Sequence, residues 1–396
     1  MSGLCLILAI TFSTKIFSHL LMAHQRFDVI NYSQMALFAI NYLVQWFCLR
    51  RGLGVFSILY GNAAGWLLTV VVAIAACLHL KLFPAAGMWG KPTWGRFREI
   101  FIYGKDVFWV ALGSQLIVAS QTIIVTRTMG LNAAATWSVC TRIYALITQL
   151  IFRLFDYSAP ALAEMITFNE RARLCSRVRS LVVVSTSLAV IAAGIYAACN
   201  QPFVAIWTHG RIGWSPLNDA LLGFWLVLST IVHSLCGFVL TTKAIRFMRY
   251  IYLLEGFVFV VLSNALAHFG GFSAIIAASI VCTCLFTLPY GIWRTGNFFG
   301  LSSRAMFREW IFPSLRLLLI FVPLGLVIWH LFSRFDYPKQ ILLVGGSLSF
   351  VGALLFLRYG LHKELKAEIH VRAPDRVRPM LASIMTGQLN LEAHEI

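Results

Sequence analysis

Polar side chains recur at helical spacing within the otherwise apolar segment TWSVCTRIYALITQLIFRLFD, residues 136–156. Counted at 100° per residue, a set of them shares one helix face of about 60°: Ser138, Arg142, Gln149, Arg153 and Asp156. The set runs for about 27 Å along the helix axis. A guanidinium can bind a phosphate through two parallel hydrogen bonds, and an amide can bond to sugar hydroxyls. The pattern therefore indicates a surface that binds a polar, anionic solute.

Polar residues share a face in two other apolar segments: Thr11, Lys15 and Ser18 in one, and Asp106, Ser114 and Gln121 in the other. Polar faces on several helices predict a shared aqueous space. Lys15 would hold an anion together with Arg142, while Gln121 and Gln149 would bond to sugar hydroxyls.

Two carboxylates in apolar segments are candidates for ion coupling, Glu255 and Asp106. A carboxylate in a low dielectric can take up and release a proton near physiological pH. Glu255 is equally interpretable as a helix-end carboxylate open to water. His233, beside Ser229 and Ser234, is interpreted as a packed, hydrogen-bonded side chain.

The elements that position these residues are membrane helices. Of 396 residues 59% are hydrophobic and 12% are charged, and the mean hydropathy of +0.80 leaves too little polar surface for a water-soluble globule. Apolar segments long enough to cross a hydrocarbon core of about 30 Å recur along the chain. We therefore predict an all-α polytopic membrane protein of eleven transmembrane helices, at 3–22, 31–48, 56–80, 106–126, 133–155, 179–200, 217–241, 250–268, 271–292, 314–332 and 340–359.

The net charge of +17 is explained by membrane orientation. If the loop after the first span is cytoplasmic, most of the 32 Lys and Arg residues lie on that side. The positive-inside rule then places the C-terminus in the cytoplasm, with Arg50 and Arg51 as an exception on the outer face. No nucleic-acid partner is predicted.

Charged groups inside a membrane also occur as structural pairs. Arg142 either lines a solute pathway or is paired with Asp106 or Glu255 between helices. Lys15 admits the same two interpretations. Arg153 and Asp156 lie near the predicted cytoplasmic headgroups, where an interfacial role competes with solute contact.

Enzymatic motifs are missing from the sequence. There is no P-loop, no H-E-x-x-H metal site and no G-x-S-x-G nucleophile elbow. We therefore expect a protein that is not an enzyme and needs no cofactor or metal. An ion gradient or the gradient of the solute would supply the energy.

The segment 103–165 resembles polysaccharide flippases, which move O-antigen or exopolysaccharide units, of the multidrug/oligosaccharidyl-lipid/polysaccharide exporter superfamily. Met129-Gly130, Arg142 and Pro160 match its turn, basic residue and terminal proline. Three shorter segments are similar to other turns of the family: LMAHQRFDVIN (21–31), PFVAIWTHG (202–210) and FGGFSAIIAASI (269–280). The family often has an Asn a turn after the carboxylate of its eleventh helix, whereas here Phe257, Val258 and Phe259 follow Glu255.

The resemblance implies two helical lobes around a central cavity. The corresponding layout is a partial first lobe of three helices over 1–80, a basic cytoplasmic linker over 81–105, a second lobe of six helices over 106–292, two C-terminal helices over 293–360 and a cytoplasmic tail over 361–396. This equals the family plan without its first three helices. A misassigned start or gene fragment is the favoured explanation, against a truncated paralogue that pairs with another copy or a variant with a smaller lobe.

The leading hypothesis from this resemblance is a flippase of the bacterial inner membrane that works by alternating access. Its partners would be an oligosaccharide on a polyprenyl pyrophosphate, membrane lipids and other polysaccharide-assembly proteins. The substrate-binding cavity would contain Arg142, Lys15, Gln149, Gln121 and Ser138. The alternatives are an exporter of drugs or organic cations, whose cavity should expose carboxylates, and an inactive or truncated membrane component of a glycan-assembly complex.

Overall fold

The computed structural model describes residues 2–361, apart from 86, 89 and 92, together with 365 and 366, and for residues 2–10 and 13 it describes the backbone only. All of its regular elements are helices. The prediction of an all-α polytopic membrane protein is confirmed. Most of the predicted tail lies outside the described residues.

The chain divides into two compact units, Met1–Phe97 and Arg98–Ile396. The division falls inside the predicted linker over 81–105, which is shorter than predicted because helix α4 already begins at Trp94.

The first unit consists of three helices and the start of a fourth: α1 (Ser2–Ala23), α2 (Phe27–Arg50), α3 (Phe56–His79) and the first turn of α4 (Trp94–Met129). The main contact is between α2 and α3, where Asn41 donates to Asn62 at 2.9 Å. A small apolar core of Leu21, Ala73 and Cys77 joins α1 to α3.

The second unit contains most of α4 and the later helices: α5 (Leu131–Cys140), α6 (Arg142–Thr167), α7 (Arg171–Trp207), α8 (Pro216–Thr241), α9 (Met248–Leu285), α10 (Thr287–Phe299), the single turn α11 (Ser303–Met306), α12 (Phe312–Phe332) and α13 (Tyr337–Leu355). Short π-helical segments at Phe307–Ile311 and Phe356–Gly360 precede α12 and follow α13. Helix α8 packs against α6, α7, α9 and α10, and it is the most buried of the apolar helices.

Seven described helices are long and apolar enough to cross a membrane, and the bent pair α5 and α6 adds an eighth. All eleven predicted spans are helical, but α1 and α2 are not among these seven. Helices α9 and α10 form a nearly continuous run of 52 residues, Met248–Phe299. Its length of about 78 Å exceeds a hydrocarbon core of about 30 Å.

Gly271 separates the two spans predicted within that run. Its φ of 56° and ψ of −137° are non-helical and lie where a side chain would be strained. The break follows the predicted end of one span at residue 268 and coincides with the predicted start of the next at 271. The glycine thus allows the chain to turn between two crossings.

Candidate functional site

A cavity of about 660 Å³ lies within the second unit, between α4, α6, α8, α9 and the start of α10. It lies where α8 ends and α9 begins, at the end of the unit predicted to be cytoplasmic. Its wall is mostly apolar, and its polar and aromatic lining includes Asp156, Trp225, Ser229, His233, Glu255 and Thr283. A concave apolar surface with a few polar groups is typical of a small-molecule site.

Two glycines hold α4 against α9 beside this cavity. A Cβ at Gly256 would lie 2.7 Å from the carbonyl oxygen of Gly113, and a Cβ at Gly113 would overlap the backbone of Tyr252. Small residues allow membrane helices to approach this closely. Ser114, which follows Gly113, and Tyr252, whose backbone Gly113 touches, both line the cavity, so this contact fixes the position of one wall.

A histidine of α8 and a carboxylate of α6 form a pair in the cavity wall. His233 Nε2 lies 2.9 Å from Asp156 Oδ1, and its ring stacks on Phe152 with centroids 3.9 Å apart. The side chains of Asp156 and His233 remain 48% and 29% exposed, so both are accessible from the cavity. The packed, hydrogen-bonded His233 is as predicted, whereas its contact with Asp156 and its place in the cavity were not predicted.

Glu255 lines the same cavity and is almost fully buried. Thr283 donates to its Oε1 at 3.1 Å, and its Oε2 has no hydrogen-bond partner among the described residues. The structure therefore places this candidate coupling residue in a concave site, and not at an open helix end.

The other candidate coupling residue, Asp106, forms an ion pair with Arg249 of α9. Both side chains are mostly buried, so this carboxylate is held in a structural pair. Gln121 is also buried, and its amide donates to Ser279 at 3.2 Å. Neither residue lines the described cavity.

The predicted polar face of Ser138, Arg142, Gln149, Arg153 and Asp156, called the polar stripe, is interrupted at its N-terminal end. A bend of 45° at Thr141 separates α5 from α6, so the straight-helix count is wrong for Ser138, which lies on α5. The remaining members keep their spacing on α6. Arg142 and Gln149 are exposed, and Asp156 lies where the stripe reaches the cavity.

Arg142 has no ion-pair or hydrogen-bond partner among the described residues. The two carboxylates predicted as alternative partners are engaged elsewhere, Asp106 by Arg249 and Glu255 by Thr283. Interhelical pairing with either carboxylate is therefore excluded in this structure. Lys15 belongs to the first unit, where its amine lies 5.3 Å from the ring centre of Phe12.

A second polar cluster, around Asp219 at the start of α8, was not predicted. Asp219 accepts hydrogen bonds from Asn200 and Trp214, and all three side chains are buried. The sequence contained one indication, since Tyr196 and Asn200 are four residues apart and share a face of α7. Their meeting with Asp219 depends on the packing of α7 on α8.

No family model, curated protein or solved structure matches this chain. The resemblance to polysaccharide flippases therefore remains a prediction.

Proposed function

We propose that this protein is a membrane transporter that moves a lipid-linked oligosaccharide, with α6 as a wall of the solute pathway. The observation that carries the proposal is the polar stripe on α6. Arg142 and Gln149 lie exposed on an apolar helix, and Arg142 has no partner among the described residues.

The cost of burial in lipid explains why this face is functional. Insertion scales assign an Arg at a helix centre about 2.5 to 3.5 kcal/mol, and such residues usually face a bundle interior or a wet cavity. The interior of the second unit does not receive Arg142, because the side chain is exposed. Water along this face, with an anionic group bound to the guanidinium, would remove the penalty.

Asp156 connects the stripe to the cavity. It lies 14 residues after Arg142, or about 21 Å along the helix. The two ends of α6 would bind different parts of the substrate. The pyrophosphate would bind near Arg142, and the sugars would bind in the cavity. Carboxylate oxygens accept hydrogen bonds from hydroxyl groups, and Trp225 supplies an apolar ring to the cavity wall.

The test is translocation of a fluorescent lipid-linked oligosaccharide in proteoliposomes of the purified chain. Arg142→Ala should lower the initial rate about 10-fold or more, because a bond to a charged group contributes about 1.5 to 3 kcal/mol. Arg142→Lys should retain part of the rate, since an amine keeps the charge but not the paired geometry. Arg246→Ala, an exposed Arg in the loop before α9, is the matched control. Equal rates for Arg142→Ala and Arg246→Ala would refute this role.

An exporter of organic cations is the second candidate. Asp156 and Glu255 both line the cavity, and its described lining contains no Lys or Arg. An anionic cavity of this kind favours a cationic solute. Uptake of a fluorescent organic cation by the same proteoliposomes, abolished by Asp156→Asn and unaffected by Arg142→Ala, would favour this candidate over the flippase.

A further inference from the structure

The cluster around Asp219 joins three helices at the outer end of the second unit. Asp219 begins α8, Tyr196 and Asn200 lie near the end of α7, and the carbonyl of Cys140 ends α5. Asp219 is 0% exposed and Asn200 is 2% exposed. Such complete burial of a carboxylate requires a specific compensating interaction.

The hydrogen bonds of the cluster satisfy only one side of the carboxylate. Trp214 Nε1 and Asn200 Nδ2 both donate to Asp219 Oδ1, each at 2.7 Å. Asp219 Oδ2 and Asn200 Oδ1 are buried and have no hydrogen-bond partner among the described residues. No Lys, Arg or His of the described chain forms an ion pair with Asp219. Two acceptor oxygens in one buried cluster thus lack a positive partner.

A monovalent cation supplies what this cluster lacks. An ionised carboxylate with no counter-charge is costly in a low dielectric, and binding one positive charge neutralises it. Carboxylate, amide and carbonyl oxygens are ligands for hard cations, and a single carboxylate matches a single positive charge. A proton on Asp219 satisfies the same charge requirement.

The cluster is attached to the bend between α5 and α6. A helix end leaves carbonyl groups without intrahelical partners. Here Asn200 Nδ2 and the Tyr196 hydroxyl donate to the Cys140 carbonyl oxygen at 3.1 and 3.3 Å. Arg142 follows Cys140 by two residues. The same amide therefore contacts both the carboxylate and the backbone that leads to the exposed guanidinium.

We propose that Asp219 and Asn200 form the core of a buried site for one monovalent cation, Na⁺ or H⁺, linked through the Cys140 carbonyl to the bend before Arg142. Occupancy of the site changes the hydrogen bonding of the Asn200 amide and hence the support of the bend. The proposal stands whichever solute the protein transports.

Among the titratable groups of this cluster, Asp219 is the one that carries a charge when it is ionised and its neighbours are protonated. The titratable neighbours are Cys140 on α5, Tyr144 on α6 and Tyr196 on α7, which are neutral in their protonated forms. Beside the cluster, α8 meets α9 through the neutral contact of Ser273 with Asn218, at 2.6 Å.

Thermal unfolding of the purified full chain in detergent, without any transported solute, tests the site. Sodium chloride is compared with choline chloride at alkaline pH, and a second series lowers the pH in choline chloride alone. We expect a saturable rise of the unfolding midpoint in one of the two series. A cation at about 100 times its Kd raises the folded-to-unfolded ratio about 100-fold. A response to sodium identifies Na⁺, and a response to acid alone identifies H⁺.

The matched variants are Asp219→Asn, which keeps the shape and one acceptor oxygen, and Asp336→Asn, which changes an exposed carboxylate whose side chain is 85% accessible. The response should disappear in Asp219→Asn and persist in Asp336→Asn. A response of the same size in wild type and Asp219→Asn, or none in either series, overturns the proposal.

Trp214→Phe provides a test that keeps the carboxylate, in case Asp219→Asn does not fold. It removes one of the two donors to Asp219, so the carboxylate should bind the cation more tightly and reach half-saturation at a lower concentration. An unchanged or higher half-saturation concentration overturns the proposal. Because the assay contains no solute, failure of oligosaccharide translocation would leave this result unaffected.

Discussion

The two ends of α8 carry polar sites of opposite character. At the N-terminal end of α8, predicted to face outward and called the outer end, Asp219 is fully buried, and two N–H donors fix one of its oxygens. At the C-terminal half of α8, predicted to face the cytoplasm and called the inner end, His233 contacts Asp156 in the wall of a cavity of about 660 Å³, and both side chains are partly exposed. One helix therefore supports a closed polar cluster and an open one. We infer that the first contributes mainly to stability and the second mainly to solute contact.

The side chains that surround the polar groups differ between the two ends. Around the outer cluster Trp137, Trp214 and Phe272 pack with ring centres 5.3 to 6.2 Å apart. At the inner end the small residues Ala111 and Ala159 contribute to the cavity wall. The two ends are connected, since Tyr144 stacks on Trp225 of the cavity and contacts Tyr196 of the outer cluster.

The largest expected effect is loss of stability when the outer carboxylate is removed. Asp219→Leu leaves the indole N–H of Trp214 buried without an acceptor and removes one acceptor of the Asn200 amide, at about 1 to 3 kcal/mol each. We expect destabilisation of about 2 to 5 kcal/mol, measured by equilibrium unfolding in mixed micelles. Asp156→Leu is the control at the inner end and should cost less than about 1 kcal/mol, because its carboxylate is half exposed. Equal losses of unfolding free energy in Asp219→Leu and Asp156→Leu would show that the two clusters do not differ in their contribution to stability.

A glycine in α4 should affect only the inner end. Gly113→Ala places a methyl group against the backbone of Tyr252, so α4 and α9 must separate, at about 1 to 3 kcal/mol. Gly104→Ala is the matched control on the same helix, where a Cβ meets nothing within 4 Å, and helix propensity favours Ala by up to about 1 kcal/mol. The same unfolding assay compares them.

The cation response described for Asp219 should survive in Gly113→Ala, because the close contact lies at the other end of the unit. If Gly113→Ala lost both stability and the cation response, the two ends of the unit would behave as one structure, and the distinction between them would be wrong.

The sequence predicted the helices well because hydropathy depends on composition over a long window. The eleven predicted spans are all helical, and residue 271 was the predicted start of a span. The spacing of Arg142, Gln149 and Asp156 also predicted their common face on α6, since this depends only on the helical repeat. What failed was the extension of that face to Ser138 across the bend at Thr141.

The sites were harder to predict because they depend on contacts between helices. Asp219 meets Asn200, which lies 19 positions earlier in the chain and on a different helix. His233 and Asp156 are 77 positions apart, and no periodicity within one helix relates them. Spacing along one helix gives the face on which a residue lies, but not whether lipid, water or another helix covers that face.

A smaller effect on stability, but a clear one on transport, is expected at the inner end. Asp156→Asn keeps the shape of the side chain and removes the charge that faces His233. We expect transport of the solute to fall about 10-fold, the size of a lost bond to a charged group, while the unfolding midpoint stays near that of the wild type. Initial rates in proteoliposomes and thermal unfolding of the same preparations provide the two readouts.

His233→Gln tests the same contact from its other side, because an amide can still donate to Asp156 but carries no charge. It should retain more transport than Asp156→Asn. If both variants transport normally, the pair is a structural contact and the open cluster has no role in solute handling.

The smallest expected effect concerns a carboxylate that lies outside both ends of α8. Asp28, before the apolar part of α2, accepts hydrogen bonds from Arg26 at 2.8 and 3.0 Å, and these hold its pKa at about 2. Because the pKa in the folded state is below the ordinary value of about 3.9, the stabilisation is present above that value and is lost as the pH falls toward 2. Both side chains are largely exposed, so water and salt screen the pair and its contribution is small.

Asp28→Asn and Arg26→Gln should therefore flatten the same acidic part of the curve of unfolding midpoint against pH, without a measurable change at neutral pH. A loss at neutral pH as large as that of Asp219→Leu would show that burial does not determine the contribution of a carboxylate in this protein.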